Sequence, residues 1–108
     1  MKNMLHKAQE QFRDIQVLLN LPQSSQEYYT NLSIATEEAY FTMNSEMCMH
    51  ADVFENCLDH RNFIRSMMDV LGELEEDSST EVKYKSQLSE FSEHVNTILE
   101  RISIALAA

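Results

Sequence analysis

One glycine and one proline in 108 residues leave this chain almost without the residues that build tight turns. Strand-rich folds need such turns at every reversal, and disordered linkers are richer in Pro, Gly and polar residues, so neither class fits. Long apolar runs are missing as well: none approaches the roughly 18 to 20 residues that span a bilayer. Residues 1–20 carry acids and polar side chains where a secretion signal would be apolar, which predicts a cytoplasmic protein.

Basic residues are scarce. Eight Lys and Arg face 18 acids, for a formal charge of -10, and none lies between Arg13 and Arg61. Phosphate backbones and anionic lipid bind by exchanging counterions for Lys and Arg, so this balance argues against nucleic acid and membrane as partners. A basic protein surface, by contrast, would be steered toward it.

Cysteine is nearly absent too. Cys48 and Cys57 are nine residues apart; on one continuous helix they would point to opposite sides, about 13 Å apart along the axis, so two reduced thiols are expected. Nucleophile–base pairs, Gly-rich phosphate loops and Cys-x-x-Cys or His-x-x-x-His spacings are also missing. No enzyme activity, cofactor or metal follows from the motifs. Met43, Met47, Cys48, Met49, His50, Cys57 and His60 do supply soft donors of the kind copper(I) prefers. On a helix, however, adjacent residues diverge by about 100°, and a methionine-rich core explains the same letters.

What the chain has in abundance is helical periodicity. Tyr84, Leu88, Phe91, Val95, Ile98, Ile102 and Ala105 recur at alternating steps of four and three, and Met1, Leu5, Ala8, Phe12, Ile15 and Leu19 form a similar seam near the other end. Such spacing lines one side of a helix, which must pack on another helix or face water.

Punctuation sets the boundaries. A first helix is expected over about 2–20, stopped before Pro22. Ser24 with Glu27, and Ser78 with Glu81, read as capping boxes; the second starts a helix near Ser79 that runs to about residue 106, with Asp77 and Glu81 at the positive end of its dipole. The stretch 25–76 carries a stripe through Tyr28, Leu32, Ala35, Ala39, Met43, Met47, His50, Phe54, Cys57, Arg61, Ile64, Met68 and Leu71. It is either one long kinked helix or two, with breaks expected near Asn44-Ser45 or near His60. A second apolar set, Ile34, Phe41, Phe63, Met67, Val70 and Leu74, calls for neighbours on two sides.

The fold expected is therefore all-α: one domain, a small antiparallel bundle of three to four helices with coiled-coil-like seams. The function expected is protein binding through amphipathic helix packing, as an adaptor, secretion-type chaperone or regulatory subunit. The partner would be a helical or basic protein, in a homodimer or hetero-complex. Leu88, Phe91, Val95, Ile98 and Ile102 are the candidate shared seam, with Leu5, Phe12 and Ile15 as its counterpart. Asp69, Glu73, Glu75, Glu76 and Asp77 form a candidate acidic docking patch. The alternatives are an inhibitor or immunity protein that masks a basic enzyme surface and, less prominently, a metal-binding helical bundle.

Overall fold

The structure is a computed structural model that describes residues 2–21, 25–49 and 57–107. Four α-helices, α1 (Lys2–Leu19), α2 (Gln26–Ser45), α3 (Cys57–Glu76) and α4 (Lys85–Ala107), pack together with no strand among the described residues. Two short 3-10 segments, Met47–Met49 and Ser78–Tyr84, accompany them. The all-α bundle is thus the fold that the periodicity predicts.

α1 ends where the approaching proline requires, and its last carbonyls find partners nearby. The Asn20 side-chain amide donates to Gln16 O at 2.8 Å, and the Tyr28 hydroxyl of α2 donates to Leu18 O at 2.6 Å. These bonds replace the intrahelical donors a terminus lacks. The cap of α2 is Ser25, whose Oγ accepts from Tyr28 N; Ser24 lies outside the described residues, so the cap falls one residue later than the Ser24–Glu27 reading.

The stretch 25–76 is two helices. α2 stops at Ser45, beside the Asn44-Ser45 pair, where Ser45 Oγ donates back to Phe41 O at 2.7 Å and competes for a ladder carbonyl. This interruption removes the premise of the thiol reading. Cys48 and Cys57 form a disulfide with Cα atoms 5.6 Å apart, and with α2 ending at Ser45 and α3 beginning at Cys57 they do not share one continuous rod. Arg61 does not lie buried on a seam either. It is half-buried at the start of α3, and its guanidinium donates to Asn44 Oδ1 at 3.0 Å, which ties the end of α2 to the start of α3. The stripe positions His50 and Phe54 lie outside the described residues.

The corner before α4 is tighter than the Ser78–Glu81 box predicts. Asp77 is the cap: its Oδ1 accepts from Ser79 N at 3.0 Å and from the Ser79 hydroxyl at 2.6 Å, and the segment Ser78–Tyr84 winds as 3-10 helix. The α-helical register begins only at Lys85. Thr80 adds its own hydroxyl bond to Asp77 O, so three short polar side chains hold this corner away from α geometry.

Burial follows the stripes. α1 supplies Leu5, Ala8, Phe12 and Ile15; α2 supplies Tyr29, Leu32, Ala39 and Met43; α3 supplies Cys57, Ile64, Met67, Leu71 and Leu74; α4 supplies Phe91, Val95, Ile98, Leu99 and Ile102. Each fully buried Phe or Leu is worth about 1.5–3 kcal/mol relative to exposure. α2 packs broadly on α1 and α3, α1 also packs on α4, and α3 meets α4 over a shorter stretch. α3 and α4 run antiparallel: Glu73 meets Tyr84 at one end of the pair, while His60 meets His94 further along.

Candidate functional site

The candidate seam residues come together, but inside the chain. Leu5, Phe12, Ile15, Phe91, Val95, Ile98 and Ile102 are all buried, at 2% exposure or less, by the chain's own helices. The two seams find cover intramolecularly because α1 and α4 are neighbours, joined at the surface by Gln16 Nε2 donating to Asn96 Oδ1 at 2.8 Å. Leu88 alone among the eight reaches the surface. It is half-buried and lines a cavity of about 240 Å³ with Leu19, Tyr28, Tyr29, Glu81 and Lys85. Burial and the nearby Glu81 charge push the Tyr28 phenol above its ordinary pKa, so it stays a hydrogen-bond donor.

The acidic candidates cluster around the α3–α4 corner, and two are already engaged. Glu73 accepts a short bond from the Tyr84 hydroxyl and lies 3.9 Å from Lys83 Nζ. Asp77 is spent on its cap, and the two Ser79 bonds hold its carboxyl below the usual range. Asp69 and Glu76 are exposed, and Glu75 is half-buried.

The exposed apolar surface lies elsewhere. Between α1 and α2 runs a groove of about 380 Å³ floored by Val17, Leu18, Ile34 and Ala35, with Asp14 and Glu38 on its rim and Asn31 beside them. Val17 is 60% exposed and Ile34 53%, far above what core residues of their type show. Phe41, two turns beyond Ile34 on the same side of α2, is 58% exposed. The groove's lining holds two carboxylates and no Lys or Arg. Ile34 and Phe41 belong to the second apolar set, of whose six members Met67 and Leu74 are core residues and Phe63 and Val70 are partly buried. Periodicity shows that such side chains share a side; it does not show which sides meet a neighbour.

A second cluster sits between α3 and α4. His60 Nδ1 and His94 Nδ1 are hydrogen-bonded at 2.8 Å, with ring centroids 5.0 Å apart. Phe63 stacks on His94 at 4.1 Å between centroids. Burial, the facing His94 and the charge of Arg101 lower the His60 pKa against the opposing pull of Asp59. The two histidines stand 34 residues apart in the chain, so only the register of the packed helices brings them together.

No group of three or more metal-binding side chains occurs among the described residues, and no described helix is long and apolar enough to cross a membrane. The soft-donor set does not gather as thiols, because its two cysteines are bonded to each other; His50 lies outside the described residues. Comparison with protein-family models, curated proteins and solved structures gives no match for this chain.

Proposed function

We propose that this chain is an acidic protein-binding module, an adaptor, secretion-type chaperone or regulatory subunit without catalytic activity of its own, and that it receives a partner in the α1–α2 groove. One observation carries the reading: an apolar floor that the described residues leave uncovered, with Asp14 and Glu38 as the charged groups of its lining, on a protein of charge -10. An amphipathic helix with an apolar stripe and flanking Lys or Arg matches both features. Its stripe would cover Val17, Ile34 and Phe41, and its cations would face Asp14 and Glu38. This moves the docking surface from the buried α1 and α4 seams to the outer sides of α1 and α2. The disulfide weighs toward an oxidising location, since such bridges are rare in reducing compartments.

A synthetic basic amphipathic peptide titrated against the full chain by fluorescence anisotropy tests the proposal. Saturable binding is expected, weakened about tenfold or more by Ile34→Asp and by Val17→Asp, since each removes apolar surface that the peptide would cover and adds a charge to the floor. Equal binding by wild type and both variants, or none by wild type, would overturn it.

The reading of an inhibitor that masks a basic enzyme surface is favoured by a different feature, the exposed Asp69 and Glu76 near the α3–α4 corner. Salt distinguishes the two. Binding that collapses between low and physiological ionic strength and survives Ile34→Asp points to the corner.

A further inference from the structure

His60 lies in the first turn of α3 and His94 near the middle of α4, and antiparallel packing sets their Nδ1 atoms 2.8 Å apart with ring planes at 82°. Phe63 stacks on one face of His94 and fixes the plane of that ring. On its other nitrogen, His94 Nε2 stands 3.9 Å from a Glu90 carboxylate oxygen one turn back on α4. At that distance the carboxylate is not hydrogen-bonded to the ring, but its charge favours the proton on Nε2, which leaves Nδ1 as the acceptor of the His60 bond.

We propose that His60 and His94 form a two-histidine site for Zn²⁺, bound through both Nδ1 atoms with water in the remaining positions. Zinc binds imidazole nitrogen at about 2.0–2.1 Å, so two such ligands in a tetrahedral shell stand about 3.3 Å apart. The observed pair needs to open by about half an ångström, and both rings to turn so that the two Nδ1 lone pairs converge on the metal. In the metal-free pair the His60 Nδ1–H donates to His94 Nδ1. On binding, that proton leaves His60 Nδ1 and is carried on His60 Nε2, so the neutral pair loses no net proton. Asp59 and Glu90 bring negative charge to the site and Arg101 brings positive charge. With two protein ligands the site binds zinc more weakly than three- or four-ligand centres. The inference is independent of the α1–α2 groove.

The test is a Zn²⁺ titration of the full, disulfide-oxidised chain against a chromophoric chelator without reductant, so that Cys48 and Cys57 offer no thiolate. One equivalent is expected. Uptake should fall at least about tenfold in His60→Asn and in His94→Ala, each of which removes one of the two ligands. Because removing a half-buried ring can loosen the α3–α4 contact, the wild-type chain is also followed by NMR of its ring nitrogens. Zinc is expected to shift the Nδ1 signals of His60 and His94 before any at His6 or His50. No uptake, uptake unchanged in both histidine variants, or shifts confined to His6 and His50 would each overturn the proposal.

Discussion

Asp77 holds the α3–α4 corner by a charged acceptor, and acid should loosen it. Its folded pKa is depressed because the ionised oxygen accepts from both the backbone and the hydroxyl of Ser79. The unfolded chain therefore binds a proton at higher pH than the folded one. The carboxylate's contribution is complete above the ordinary Asp pKa and is lost as pH falls through the folded value. Asp77→Asn keeps an acceptor but removes the charge, so it should lower the urea midpoint at about pH 7 and have less effect at about pH 3. An equal effect at both would place the stabilisation in shape alone. The sequence puts an acid at this corner but assigns it to docking and to a helix dipole. Its use as the cap depends on where the backbone N–H of Ser79 points, which the order of residue types does not specify.

Among whole helices, the seams were the most legible part of the molecule. Steps of three and four select one side of a rod whatever covers it, so Phe12, Ile15, Phe91, Val95 and Ile98 appear among the buried residues as the pattern requires. What covers that side is not periodic information. The same spacing serves a coiled coil between chains and a bundle within one, and here α1 and α4 cover each other. The break after α2 was legible as one of two candidate sites, while the 3-10 turn before α4 arises from competing Asp, Ser and Thr bonds that a cap motif does not resolve. The only glycine offers a direct test of helix propensity. Gly72 lies within α3, and a Cβ added there meets nothing within 4 Å. Gly72→Ala should raise stability by about 0.5–1 kcal/mol in chemical denaturation, by lowering the conformational freedom of the unfolded chain. A loss of stability would mean that the glycine serves a purpose other than permissiveness.

Across the whole molecule, the Cys48–Cys57 bridge is the feature that sequence geometry most directly opposed, and the reason is plain: the opposing argument held only for an unbroken rod. The bridge joins the short segment after α2 to the first turn of α3 across a sequence separation of 9. Closing a loop of that size restricts the unfolded chain by about 2–3 kcal/mol on the chain-entropy account. Cys48→Ser with Cys57→Ser should therefore lower the denaturation free energy by about that amount while leaving the far-UV helical signal in place. A midpoint that does not move on reduction would show that the staple adds nothing beyond the packing of α2 on α3.

The neighbouring placement of α1 and α4 has its own bearing on how the protein is made. α1 emerges from the ribosome before α4, yet α4 supplies one of the walls against which α1 packs. At about 5–20 residues per second, translating the 23 residues of α4 takes roughly one to five seconds. For that interval α1 lacks a wall, long after its own helix has had time to wind. Holdase binding to unfinished chains should consequently end when α4 clears the exit tunnel, and not when α1 does.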